Sequence, residues 1–416
     1  MNPMKIRALF LAVLLAATLT AGLVLGQRGQ LREIEQGFLD FLVAYGRDTF
    51  TQNLPARSED VVLVEMHEED KAEYSAWPPA PLDYILALKR LAPQEPEMVA
   101  FTMPLHWTGE QAQFIPELKD QLVPIPTVVL GFSLLKGPTP GDQEAADFFR
   151  DSLPILSEET TEGRGSAPYF LSVLDLPVKA LRFGSQLGFV SAESLPYDPK
   201  HVPLVASDGR RLTPSLAVQA LTAYRRVPYA AQRLRFGNGA RLSLEDRYIV
   251  PLEKDGTLLL KPLPEVPRIN ALSLMTPDLG DEADKNVRET LGKHKAIVFT
   301  LTTQKEGEAQ AQALAQGLAL PAIHQSRTSV WVLCGIAILL SFWQLRFGRF
   351  GALAFGTAMV IGGLLSSLLA FSNSLHWWSP VLPIALQGIS TIFCFLFPRR
   401  AVSFPEDALH SGPIGA

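Results

Sequence analysis

The chain has 416 residues, 47% of them hydrophobic, and a formal net charge of -5 at pH 7. An acidic balance of this kind gives no footprint for nucleic acid. Both cysteines, Cys334 and Cys394, fall in apolar runs, which excludes a disulfide framework, a thiolate metal site or a cysteine nucleophile in the polar part of the chain.

The first element is the uncharged run 8–27, preceded by Lys5 and Arg7 and followed by Arg28. It is long enough for a membrane-spanning helix. Small residues spaced for cleavage are hard to place near its end, so it reads as an uncleaved anchor, with a cleaved signal peptide as the alternative. Leu31, Ile34, Phe38, Phe41 or Leu42, and Tyr45 then recur at helical spacing among charged residues. The stripe predicts a packing face, and a homodimer seam is its other use.

An α/β pattern follows. Strands are predicted at 61–64, 98–101 and 127–132, with helices at 81–91 and 110–122 between them. Strands alternating with helices about 30 residues apart predict right-handed crossovers and a mainly parallel sheet. Residues 136–168, rich in Pro, Gly and acidic side chains, read as an exposed insert with one helix at 144–151. The segment Glu162-Gly163-Arg164-Gly165-Ser166 looks like a phosphate loop only superficially, since it follows no strand and opens no helix.

From Leu187 the pattern becomes strand-rich. Strands are predicted at 188–190, 202–206, 234–236, 241–244, 248–252 and 258–261, with turns at Asp208-Gly209-Arg210 and Asp255-Gly256. Pro214 in a first turn, with Thr213 as N-cap, predicts a helix through Ala223. A helix at 281–291, a buried strand at 295–301 and a helix at 306–318 complete this part.

The stretch 328–398 is apolar. Residues 328–345 carry no charge between Arg327 and Arg346. The uncharged stretch 350–398 suits two helices joined by a turn at Ser372, Asn373, Ser374 and the following His376, Trp377, Trp378, Ser379 and Pro380. Helices are predicted at 328–346, 350–372 and 380–398, giving four transmembrane helices, one N-terminal and three C-terminal. Lys5, Arg7, Arg346, Arg349, Arg399 and Arg400 then fall on one side, the cytoplasm, with both termini. Residues 28–327 fall outside, with 31 Lys and Arg against 40 Asp and Glu. The expected domains are the N-terminal helix 1–27, an extracytoplasmic domain 28–327, the helices 328–398 and a cytoplasmic tail 399–416, in a multi-pass membrane protein contacting membrane lipid. Polar groups within the spans are Gln344, Gln387, Ser366, Ser367 and His376, with no carboxylate or lysine to carry ions. Gly362-Gly363 and the pair Gly351 and Gly356 are expected where helices pack closely.

The order of segments is recognisable. The V-V-L-V strand at Val61, the W-P-P-A-P stretch from Trp77, the V-A-F strand at Val99, V-P-L-V-A-S-D-G-R-R-L-T-P-S-L-A from Val202 and K-A-I-V-F from Lys295 precede a multi-span C-terminus. Together they resemble the type-two CHASE sensor domains, over residues 6–398. The resemblance implies an extracytoplasmic sensor of a bacterial receptor, with one span before the domain and three after it. This chain departs from the family pattern where Glu65 and the Glu68-Glu69-Asp70 group replace aspartates after the first strand, where Pro81 stands for an arginine and Thr102 for an aspartate, where Thr300 replaces a glycine, and where 304–316 replaces a threonine and proline loop. Family members commonly continue into a cyclase or kinase. Here only 399–416 follow, too few for a catalytic domain, so output is expected to pass laterally to a separate membrane signalling protein through residues 328–398.

In a parallel α/β sheet ligands sit beyond the carboxyl ends of the strands. That rule selects His67, Glu69, Trp77, Thr102 and His106 as candidate contacts for a small ligand. A metal or acid/base site from His67, Glu68, Asp70 and His106 is the sharper alternative, without the spacing of any known metal motif. No G-x-S-x-G elbow, Walker sequence or cofactor motif occurs. The expected function is a non-enzymatic membrane-anchored sensor without cofactor or metal, with a scaffold or assembly protein, or an extracytoplasmic hydrolase, as alternatives.

Overall fold

The computed structural model describes residues 3–28, 30–52, 54–138, 142–156, 167–193, 196–228, 231–245, 247–261, 265–276, 281–325 and 327–397. The loop-like segment 162–166 and the tail 399–416 lie outside them. The chain forms two compact units, Asp40–Ile323 and the terminal segments Met1–Leu39 with His324–Ala416.

The first unit is mixed α/β around a mainly parallel sheet. Its strands are β1 (Val61–Met66), β2 (Met98–Phe101), β3 (Thr127–Leu135), β4 (Ser172–Leu174), β5 (Gln186–Ala192), β6 (Arg268–Asn270) and β7 (Ala296–Leu301). The order across the sheet is β6-β1-β7-β2-β3-β5, all parallel. β4 alone runs antiparallel, against Ser133–Leu135 of β3. β5 occupies the other edge of those β3 residues, so β4 lies on the β2 side, past the carboxyl end of β2.

Every residue of β1, β2 and β7 is buried, which is why these strands are nearly continuous apolar runs and not alternating ones. On one face Val62, Val64, Phe101 and Phe299 pack with Tyr84, Ile85 and Leu88 of the helix Pro81–Leu91. Phe101 and Phe299 stack at 5.0 Å. Helices Leu216–Tyr224 and Lys305–Ala319 cover the other face. They come close because glycines let them: a Cβ on Gly188 would stand 2.6 Å from the Leu216 backbone, and one on Gly307 would collide with the hydroxyls of Thr102 and Thr300. Buried Gln310 joins the two helices, accepting from Ala217 N at 3.1 Å and donating to Pro203 O at 3.3 Å.

Several boundaries differ from the sequence expectation for identifiable reasons. The segment at 188–190 is part of β5 and extends the parallel sheet. The expected N-cap Thr213 and helical Pro214 form the short strand Leu212–Pro214, paired across the Gly209 turn with Val205–Ser207, and Ser215 caps the helix by accepting from Val218 N. The helix expected from 110 opens as a 3-10 turn, Gly109–Phe114, and becomes α-helical only at Ile115–Leu122, where Pro116 sits in the first turn. β4 and β6 are three residues each, too short to leave a pattern.

A separate antiparallel sheet, Gln232–Arg235, Arg241–Leu244 and Tyr248–Pro251, holds both ends of this unit. At one end the Asp40 carboxylate is bound by Arg241 and, at 2.6 Å, by Arg235. Gly239, at φ +76, leaves no room for a Cβ against the Asp40 backbone. At the other end Ile323 N donates to Arg247 O at 2.6 Å.

The second unit is helical. Pro3–Gln27 and Arg349–Ser374 are its longest helices. Among the described residues two stretches suffice by length and composition to cross a membrane, Met4–Gln27 and Arg349–Ser374, not the four expected; Thr328–Gln344 and Val381–Leu396 are apolar but shorter. Leu11, Leu15, Cys334, Leu382 and Leu386 form the inner contact. Gln344, fully buried, is a polar hub: its Oε1 accepts from Gln387 Nε2 and Ser390 Oγ, both at 3.0 Å, and its Nε2 donates to Ala352 O at 2.6 Å and Thr391 Oγ1 at 3.1 Å. Gly356 lies against Thr391 and Gln344, as expected for close packing, whereas a Cβ on Gly362 would meet nothing. The outward side chains are apolar: Leu339 is 71% exposed, Ile392 61% and Phe350 82%.

Candidate ligand-binding site

A cavity of about 440 Å³ opens beyond the carboxyl ends of β1, β7 and β2, with β4 as an added wall. The helices that follow these strands leave on opposite faces of the sheet, Pro81–Leu91 after β1 and Lys305–Ala319 after β7, so a crevice at their ends is where this topology places a ligand.

The wall after β1 is Trp77, Pro78 and Pro79. It is held by Asp83, a buried carboxylate in the first turn of the Pro81–Leu91 helix. Asp83 accepts from Ser75 N at 3.0 Å, Ser75 Oγ at 2.8 Å and Ala80 N at 2.8 Å. Those three bonds satisfy the acid inside the protein and fix the prolines ahead of the helix. The wall after β2 runs from Met103 to Trp107. Trp107 donates its indole N–H to Pro79 O at 3.0 Å and packs 5.7 Å from the Tyr84 ring. Burial pushes the Tyr84 phenol far above its ordinary range, with Asp83 adding to the effect. It stays protonated.

His106 lies 3.3 Å from Leu176 O through Nδ1. A carbonyl only accepts, so Nδ1 carries the hydrogen of this contact. Backbone pairing of Val178 N with Leu105 O, 2.9 Å, ties this wall to the residues after β4. Acidic residues complete the cavity. Asp175 stands in the left-handed region at φ 55, Asp142 caps the Gln143–Asp151 helix by accepting from Ala145 N at 3.0 Å, and Glu144 is paired with Arg182. Desolvation lowers the Arg182 guanidinium, opposed by Asp142.

The five candidates from sequence separate into three places. Trp77 and His106 line the cavity. His67 and Glu69 do not: they stand in a polar cluster where β1 ends, His67 Nδ1 being 3.5 Å from Glu69 Oε1 and its Nε2 3.8 Å from Glu65 Oε2. There Glu65 binds Arg268 of β6 at 2.5 Å, and Arg268 also binds Glu308. Desolvation depresses the Arg268 guanidinium, but the hydrogen bonds to Glu308 and Glu65 outweigh it and raise it overall. Thr102 is buried under Gly307, with its hydroxyl donating to Phe299 O at 3.1 Å, and is a packing residue. The set His67, Glu68, Asp70 and His106 is not assembled; among the described residues no group of three or more His, Cys, Asp or Glu is placed to hold a metal ion. Asp142, Glu144, Asp175 and Gln304 are the cavity residues that strand-end reasoning misses, because they come from the insert, from β4 and from the turn after β7.

The CHASE2 domain family matches residues 11–345. The chain belongs to that family, which is one of extracytoplasmic sensor domains. No curated protein and no solved structure matches the chain.

Proposed function

We propose that this protein is a membrane-anchored, non-enzymatic sensor. Its Asp40–Ile323 unit binds a small ligand outside the cytoplasmic membrane of a bacterium, and its helices pass the signal laterally to a separate membrane protein through the faces of residues 328–398. The family supports the sensory role. The observation that carries the membrane reading is the apolar outer face of the helical unit, with Leu339, Phe350 and Ile392 outside and the polar cluster Gln344, Gln387, Ser390 and Thr391 inside beside Leu11, Leu15 and Leu386. A bundle in water has the opposite arrangement.

In this reading all four apolar helices span, with both termini cytoplasmic. Thr328–Gln344 and Val381–Leu396 reach about 25 Å at 1.5 Å per residue, short of a ~30 Å hydrocarbon core by an amount that local thinning accommodates. Coupling follows from the antiparallel sheet that grips both exits of the sensor unit, at Asp40 and Ile323. A ligand that moves this sheet displaces both connections together. Cysteine pairs introduced between the helices Pro3–Gln27 and Arg327–Gln344 test it. Crosslinking efficiency is expected to differ between the wild-type chain and Asp83→Asn, whose cavity wall has lost its anchor. An identical pattern in both argues against transmission. Pull-down from detergent extracts separates sensing from scaffolding, since a stoichiometric external partner retained in every state marks a scaffold.

A further inference from the structure

Resting on the reading of this cavity as the ligand site, we propose that its ligand is an organic cation, an ammonium carried on an apolar body. The lining holds three carboxylates, Asp142, Glu144 and Asp175, and no Lys or Arg. Arg182, outside the lining, pairs with Glu144 and lies in the field of Asp142, which leaves Asp175 as the carboxylate that sets the sign of the field. The other polar side chains of the lining, among them Gln111, Gln304 and Tyr84, add no positive charge. Gln304 Oε1 is buried without a hydrogen-bond donor, and His106 has given its Nδ1 hydrogen to Leu176 O.

The apolar part of the lining fits the same ligand. Trp77, Tyr84 and Trp107 bring aromatic surface to the cavity, and Trp107 has spent its N–H on Pro79 O, so its ring offers no donor. Aromatic rings with carboxylates and lone acceptors attract a cation by the ring quadrupole and by charge-assisted hydrogen bonds. An anion would meet like charge from the carboxylates and no Lys or Arg of the lining to offset it. The volume admits a ligand of ordinary small-molecule size.

The test uses three probes with one indole body: tryptamine, cationic; tryptophol, neutral; and indole-3-acetate, anionic. Binding to the purified full chain is measured by titration calorimetry. Tryptamine is expected to bind about tenfold tighter than tryptophol, with indole-3-acetate weakest. Asp175→Asn, which keeps a residue tolerant of the left-handed region, is expected to remove most of the tryptamine preference and leave tryptophol unchanged. Equal binding of all three, lost in Trp77→Ala, overturns the cation proposal and keeps the cavity as the site. No binding of any probe, or binding indifferent to Trp77→Ala, overturns both.

Discussion

The two units of this chain solve opposite packing problems. The sheet unit buries Val62, Val64, Phe101 and Phe299 and keeps buried charges such as Asp83 and Arg241 hydrogen-bonded, so water drives its core together. The helical unit buries a glutamine hub and turns leucine, isoleucine and phenylalanine outward, with hydrogen bonds and close contact at Gly356 between its helices; in the proposed membrane setting the surroundings would supply no hydrophobic drive. The lesson is that the apolar outer face around a buried glutamine hub, more than helix length, is what supports the proposed membrane reading of the second unit.

The largest effect expected from breaking this contrast is in the sheet unit. Phe299→Ala removes the stacked partner of Phe101 and should cost about 3–5 kcal/mol, read as increased cleavage in pulse proteolysis across a urea series. Next is Leu339→Asp on the outward face. If that face meets lipid, the substitution opposes insertion by about 2.5–3.5 kcal/mol, seen as loss of membrane-integrated protein; a gain in soluble, folded protein would mean that the face meets water. Gln344→Leu leaves Gln387 Nε2 and the Ser390 hydroxyl without their acceptor and should cost about 1–2 kcal/mol in detergent unfolding, whereas an apolar core would gain from the same change.

The smallest effect is a titration in the sheet unit. Burial acts to raise the Asp208 carboxyl, but hydrogen bonds from Arg211 and Arg210 outweigh it and hold it below the usual range. A depressed carboxyl stabilises the fold above the ordinary value of about 3.9 and loses that contribution as pH falls below it. Asp208→Asn should therefore flatten the acid limb of a stability-against-pH curve below about pH 4 and leave the neutral region little changed in slope.

Much of the sheet unit is legible in the sequence because a parallel strand buried on both faces must be a continuous apolar run, as at Val61-Val62-Leu63-Val64 and Ile297-Val298-Phe299. β6 carries Arg268 and Asn270 and is recognisable only through its pairing with β1. The cavity is half legible. Strand-end reasoning reaches Trp77 and His106, since these follow β1 and β2 directly. It misses Asp175 because β4 folds back across β3, and it overvalues Thr102, whose position after a strand says nothing of Gly307 lying on top of it. Asp83 escapes because an acid in a first helical turn reads as a dipole contact, and its part in fixing the proline wall needs the fold.

The central claim is that the sheet unit lies outside a membrane crossed by the apolar helices. Phe183 is 86% exposed on that unit, and both native cysteines are buried among the helices. Labelling of Phe183→Cys with a membrane-impermeant maleimide in intact spheroplasts tests the claim directly. Full modification before lysis is predicted; modification only after lysis would contradict it.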